Sequence, residues 1–198
     1  MTATGHLLFS VSSLILVHKL AITPEFAYGD WLHLLAGALL GALLPDIDHP
    51  SSHLGRLFRF ISVPICRLCG HRGFTHSLLA WLLIMLLSTH QLPNSYWLSD
   101  ALVQAFLLGY FSHLVGDMLT VKGIPFLWPL KIPFCFPILG NNSNQRAEHS
   151  IAILLAICAI LIPSNYQLPL QPILQETKKN VITYVVNELN DLISLHSP

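Results

Sequence analysis

Charged residues are the rarest class in this sequence. Asp, Glu, Lys and Arg together make up 10% of its 198 residues, against 53% hydrophobic residues, and the mean hydropathy is +0.60. A soluble domain carries about a quarter charged residues. This composition therefore excludes a globule with an ordinary solvated surface and fits a chain whose solvent is largely lipid. Lys and Arg number 10, as do Asp and Glu. That balance gives no argument from net charge for a nucleic-acid partner, and none is expected. Cysteine is sparse as well: Cys66 and Cys69 form one CxxC, and Cys135 and Cys158 stand alone. A zinc ribbon needs a second CxxC, which the sequence lacks. The start shows no basic n-region and no small-residue cleavage site, so "GHLLFSVSSLILVHKL" is expected to be a retained first membrane segment. Internal repeats, low-complexity tracts and the HExxH pair of a zinc protease are missing too.

What is present is a set of apolar runs and an excess of histidine: 11 residues, more than either charge sign. Five runs read as candidate spans, at about 5–22, 31–44, 76–89, 101–119 and 150–162. Several fall short of the roughly 20 residues that cross a bilayer perpendicularly. The second contains Gly37 and Gly41, a small-xxx-small spacing that lets helices approach closely. Between spans two and three, residues 49–75 read as a loop with Arg56, Arg59, Arg67 and Arg72. Between spans four and five, "GIPFLWPLKIPFCFPILG" is apolar but broken by prolines, so it reads as an irregular or re-entrant segment. Beyond Pro163, apolar residues from Ile173 to Ile193 recur at helical period and predict an amphipathic C-terminal helix. The expected fold is all-α: a polytopic membrane helical bundle of about five spans over 1–165, followed by the amphipathic helix within 166–198. Trp31, Trp97 and Trp128 read as interfacial anchors.

Threading the chain through five spans brings the polar residues to one face. His6 starts span one. "LLPDIDHP" ends span two with Asp46 and Asp48. "HRGFTHS" opens span three with His71, Arg72 and His76, and Thr75 reads as its N-cap. His113 and Asp117 lie in the last turns of span four, and Glu148 and His149 precede span five. Ionisable groups are costly near hydrocarbon, and their gathering at one level points to function. Arg56, Arg59, Arg67, Arg72, Lys122, Lys131 and Arg146 fall on that face, against Lys19, Lys178 and Lys179 on the other, which places the cluster in the cytoplasm.

Imidazole and carboxylate together suit zinc, manganese or iron. His113 and Asp117, four apart on a helix, project to one point. Asp46 and Asp48 would diverge on a helix, but a turn after Pro45 can aim one or both inward. The candidate ligands are His6, Asp46, Asp48, His71, His76, His113 and Asp117, with His49 left open as a ligand or a loop residue. One tetrahedral ion takes about four donors, so this surplus suggests two or three ions, or one ion with acid–base groups beside it. Such a centre activates water and offsets charge on a phosphoryl oxygen. Arg72 would hold the phosphate, and Asp48 or Glu148 would serve as base. Glu148 and His149 can alternatively cap span five.

At these residues the chain resembles the YdjM family of bacterial inner-membrane proteins. "GHLLFS", "GDW", "LLPDIDHP", "GHRGFTHSLLA", "LGYFSHLVGDMLT" and "PFLWP" carry the resemblance, over roughly residues 1–140. It implies a LexA-regulated, SOS-linked bacterial gene and a membrane-bound, metal-dependent hydrolase. The HxxxD helix is also distantly similar to the metal helix of zinc-dependent phospholipase C and P1-type nucleases. That likeness maps onto His113 and Asp117 directly, and onto His6, Asp46 and His76 by role. The expected function is hydrolysis of a phosphoester of a membrane lipid at the cytoplasmic face, by metal-activated water. The rivals are a non-enzymatic metal-binding sensor or transporter, a metalloprotease or amidase with Glu148 as base, and a structural protein with a buried hydrogen-bond network.

Overall fold

The computed structural model describes residues 1–70, 72–91, 99–130, 132–139 and 145–163. The expected C-terminal amphipathic helix, Trp97, Lys131 and His71 lie outside them. Eight helices and one short β-hairpin make up the described fold. The long helices are α1 (Ala3–Lys19), α3 (Trp31–Leu43), α6 (Leu78–Gln91), α7 (Asp100–Met118) and α8 (Gln145–Leu161), and they coincide with the five apolar runs. Between them lie the shorter α2 (Pro24–Tyr28), α4 (His53–Leu57) and α5 (Arg59–Cys69).

The starts and stops follow from local chemistry. Thr2, Thr23, Asp30 and Ser99 each cap a helix by accepting a backbone N–H in its first turn, which satisfies donors that have no partner within the helix. Pro45 ends the α3 ladder because it has no N–H to continue it, and Pro45–Asp48 winds into a 3₁₀ turn.

The centre of the bundle is the α3–α7 pair, with α1 against both, α8 on α1 and α6 on α7. α3 and α7 meet backbone to backbone. A Cβ at Gly41 would collide with the Phe106 carbonyl, and one at Gly109 with the Ala38 carbonyl. The small-xxx-small spacing is thus used as the sequence predicts. The buried residues here are mostly small: Ala38, Ala42, Ala101 and Ala105 surround Leu34 and Leu14. Hydroxyl and indole groups tie the remaining helices in. Ser10 Oγ donates to the Ala38 carbonyl at 3.0 Å and Ser12 Oγ to the Ala152 carbonyl at 2.8 Å. Trp81 Nε1 donates to the Leu107 carbonyl at 2.9 Å.

The outer faces carry large apolar side chains instead. Leu32, Leu40, Leu86, Leu87, Leu154 and Ile160 are exposed, which suits helices packed in lipid and would be a liability in water. By length and composition, the segments Trp31–Asp48 and Asp100–Met118 are long and apolar enough to cross a membrane, and Leu78–Ser88 is a shorter apolar helix.

Two parts of the sequence reading are corrected. Residues 49–75 are not a loop, because α4 and α5 occupy most of the stretch. Nor does Thr75 cap α6: Ser77 Oγ accepts from Ala80 N at 3.2 Å, and the Thr75 hydroxyl is used elsewhere. The proline-rich stretch is irregular as expected, and contains a two-stranded antiparallel hairpin, β1 (Ile124–Pro125) with β2 (Pro133–Phe134). Phe136 N and Leu139 N donate to the Met118 and Leu119 carbonyls, closing the C-terminal end of α7.

Candidate metal centre

The site begins with two tight turns. In the Pro45–Asp48 turn, Ile47 N and His49 N bond three residues back, to Leu44 and Asp46. A 3₁₀ turn has three residues per turn, so side chains two apart diverge. Asp46 keeps 24% side-chain exposure, whereas Asp48 is completely buried. The second turn, Phe74–His76, delivers His76 just ahead of α6. Asp48 joins the two: its Oδ2 accepts from Arg72 N at 2.9 Å, from Thr75 Oγ1 at 2.7 Å and from His76 Nδ1 at 3.1 Å. Arg72 has a left-handed backbone, φ +58°, a conformation disfavoured for any residue with a Cβ. Its bond to Asp48 helps to hold it there.

The bonds made by the histidines decide which ring nitrogen faces the cluster. His113 Nδ1 lies 2.6 Å from the Ala42 carbonyl. A carbonyl only accepts, so Nδ1 carries the proton and Nε2 presents its lone pair. His76 is held the same way by Asp48. This carboxylate- or carbonyl-backed imidazole is the arrangement that orients metal-binding histidines.

Four donor atoms then converge. His113 Nε2 lies 3.3 Å from His76 Nε2. Asp46 Oδ1 is 3.6 Å from His76 Nε2 and 3.8 Å from His113 Nε2. Asp117 Oδ2 is likewise 3.6 Å and 3.8 Å from the same two atoms. Zinc–nitrogen and zinc–oxygen bonds of about 2.1 Å in a tetrahedron put neighbouring donors about 3.4 Å apart. The His76–His113 spacing is slightly shorter than that edge, and the four carboxylate–imidazole spacings are a few tenths of an ångström wider. His6 flanks the group: its ring stacks on His113 with centroids 3.6 Å apart, and its Nε2 is 3.4 Å from Asp117 Oδ1.

The donor chemistry fits a divalent ion. Asp46, Asp48, Asp117 and Glu148 bring four carboxylates to this end of the bundle, whereas the Arg72 guanidinium and the Met1 ammonium both bind Asp117, so carboxylates outnumber these cations. His6 Nδ1 is buried with no hydrogen-bond partner, and a buried polar atom of that kind needs a ligand or water. Burial opposes a charge on His76, but the carboxylates of Asp46, Asp48 and Asp117 outweigh it and raise its pKa from 6.5 to about 9. The space in front of His76 Nε2 therefore favours positive charge, whether a proton or a metal.

The sequence pattern of the YdjM inner membrane protein family matches residues 1–174. The chain belongs to that family. It is 42% identical over 165 residues to the inner membrane protein YdjM of Escherichia coli (strain K12), covering 83% of this chain and 84% of that protein. It is 32% identical over 160 residues to the uncharacterized protein YvsG of Bacillus subtilis (strain 168), covering 80% and 92%. No solved structure matches the chain. Family membership supports an inner-membrane location.

The structure brings together six of the residues singled out from the sequence, in two different capacities. His6, His113 and Asp117 form one group of converging donors and Asp46, His76 and His113 a second, with His113 common to both. Asp48 sits behind His76 and outside both groups of converging donors, so its position is that of an orienting carboxylate. Arg72 lies beside them, but its terminal nitrogens are engaged: Nη2 donates to Asp117 Oδ1 at 2.9 Å, and Nη1 to the Gly123 carbonyl at 3.2 Å and Thr120 Oγ1 at 3.4 Å. It braces Asp117, and a phosphate would have to displace those bonds. Glu148 is buried, and its Oε2 accepts from Thr2 N at 2.9 Å and Thr2 Oγ1 at 2.6 Å. That clasp fixes the start of α1, and with it His6. His49 stands outside both groups, with Nδ1 2.8 Å from Ser51 Oγ. No spacing rule in the sequence links Glu148 to Thr2, 146 residues away.

Proposed function

We propose that this protein is a multi-pass inner-membrane hydrolase that holds one divalent metal ion, zinc foremost with manganese or iron as alternatives, and acts on a phosphoester of a membrane lipid. The observation that carries the reading is the pairing of His76 Nε2 and His113 Nε2 at 3.3 Å, with Asp46 Oδ1 and Asp117 Oδ2 each 3.6–3.8 Å from both. The sequence alone left open two or three ions, or one ion with acid–base groups beside it. One is favoured here because Asp117 Oδ1, the oxygen a second ion would share, already binds the Arg72 guanidinium at 2.9 Å and the Met1 ammonium at 2.7 Å. Two cations at that oxygen repel a third.

Asp46, His76, His113 and Asp117 would hold the ion, whose chemistry there would be Lewis acidity toward a water and a phosphoryl oxygen. The chain's own residues do the rest. Asp48 and the Ala42 carbonyl fix the histidine tautomers, Arg72 and His6 hold Asp117, and Asp46, the partly exposed carboxylate, is the one a substrate would approach. In this reading α1, α3, α6, α7 and α8 all cross or deeply enter the bilayer. The cluster end faces the cytoplasm, since Arg56, Arg59, Arg67, Arg72 and Lys122 lie at that end and Lys19 at the other.

Purified protein is expected to carry about one equivalent of divalent metal by mass spectrometry. His113→Ala and Asp117→Ala are expected to lose it, together with turnover of lipid phosphoesters. Full metal content in both variants would sink the proposal. Metal without turnover of any lipid phosphoester would leave a metal-binding sensor or transporter in its place.

A further inference from the structure

The metal reading leaves open where a substrate would meet the ion, and most of the cluster is closed off. His6, His76, His113 and Asp117 are at most 2% exposed. Asp46 is the converging ligand that retains exposure, and it opens into a cavity of about 310 Å³ whose lining also includes His49, His53, Arg56, Leu43 and Leu54. That volume is at the small end of ligand-binding sites, which run from about 300 Å³ upward.

The groups in its wall are basic. Arg56 Nε donates to the Ser51 carbonyl at 2.8 Å. That bond fixes the guanidinium at its base and leaves both terminal nitrogens without a partner among the described residues. The His53 ring likewise has no partner there. Asp46 is the acid among the lining residues, and a bound metal would reverse the charge it presents. A second cavity of about 300 Å³ lies beside Trp128 and Lys122, but none of the five converging residues lines it, and its Arg72 is engaged. Next to Arg56 in the chain, Leu57 at the end of α4 and Phe60 at the start of α5 are 70% and 75% exposed.

We propose that the cavity over Asp46 is the substrate-binding site, and that it takes a phosphoryl group between the metal and the unpartnered nitrogens of Arg56 and His53. This deepens the hydrolase reading and rests on it. Arg56 is suited to the task because a guanidinium with free terminal nitrogens presents two parallel donors to phosphate oxygens. The exposed apolar side chains of Leu57 and Phe60 nearby in the chain suit a phosphate carried on a lipid. A free phosphate ion would have the same charged chemistry without needing them.

The test uses full-length protein in phosphatidylcholine nanodiscs, with metal content measured first for every variant. One arm titrates inorganic phosphate. The other compares discs containing phosphatidic acid with no free phosphate, and both are read by phosphorus NMR. The expected result is binding to metal-loaded protein and little to chelator-stripped protein. Arg56→Ala and His53→Ala should weaken binding about tenfold or more at unchanged metal content, and Arg56→Lys should recover part of it. The arm that responds names the source of the phosphoryl group. Affinity unchanged by both alanine variants in both arms, or binding equally strong after metal removal, would overturn the assignment. A wild-type protein that takes up no metal overturns the hydrolase reading itself, and the metal measurement keeps these two failures apart.

Discussion

Asp48→Asn separates a ligand from a residue that positions one. Asp48 Oδ2 accepts three hydrogen bonds, from Arg72 N, Thr75 Oγ1 and His76 Nδ1. Alanine would leave three buried donors bare at about 1–3 kcal/mol each. The sum, about 3–9 kcal/mol, is comparable with the whole stability of a domain, so that variant reports folding and nothing else. Asparagine keeps an acceptor in the same place and removes only the charge that makes His76 a more basic ligand. Carboxylates that back a metal-bound histidine typically account for about 10- to 100-fold in metal affinity, or about 1.4–2.7 kcal/mol. Zinc affinity of Asp48→Asn should therefore fall within that range, measured by competition with a chromogenic chelator in detergent. His76→Ala, which removes a donor outright, should fall further. The reasoning fails if Asp48→Asn matches wild type within about twofold, because the backing carboxylate would then be idle. It also fails if Asp48→Asn loses as much as His76→Ala, because Asp48 would then be a ligand itself.

Three further outcomes are expected. The raised His76 pKa, about 9, means that below this pH a metal must displace a proton; apparent affinity should rise about tenfold per pH unit up to about pH 9 and then level off, and a flat profile between pH 6 and 9 would contradict it. Gly41→Ala should lower the thermal midpoint by an amount corresponding to about 1–3 kcal/mol of overpacking, because its Cβ meets the Phe106 carbonyl. Gly70→Ala, with φ +75° and ψ 165° but nothing near its Cβ, should cost about the 1–3 kcal/mol of a conformation essentially confined to glycine; an unchanged midpoint for Gly41→Ala would mean the α3–α7 contact is softer than described. Leu154→Lys places a charge on the exposed face of α8 at about 2.5–3.5 kcal/mol against insertion; an unchanged yield in the membrane fraction would argue that this face meets no lipid.

Much of this arrangement was legible from sequence because it follows from periodicity and direction. Alternating apolar runs put the end of α3, the start of α6 and the end of α7 at one level, and the i, i+4 spacing joined His113 to Asp117. What could not be read were partnerships made by tight turns and distant backbone. Nothing in "PDID" says that a 3₁₀ turn will send Asp46 and Asp48 to different jobs. Arg72 looks like a phosphate donor until its bonds to Asp117 and Gly123 are seen. His53 and Arg56 look like surface residues and are exposed; what the pattern does not announce is α4, five residues long, which brings them to the cavity that Asp46 lines.

The backbone contacts of Gly41 with Phe106 and of Gly109 with Ala38 reach beyond packing. Gly109 lies one helical turn before His113, and Gly41 lies five residues before Asp46, so the distance between opposite walls of the cluster is inherited from how closely two helices can lie. A tetrahedral ion and a larger octahedral one ask for different donor separations. If the cluster holds a metal as proposed, the choice of ion would be adjustable by a methyl group a full turn away from any ligand, with every coordinating side chain left as it is.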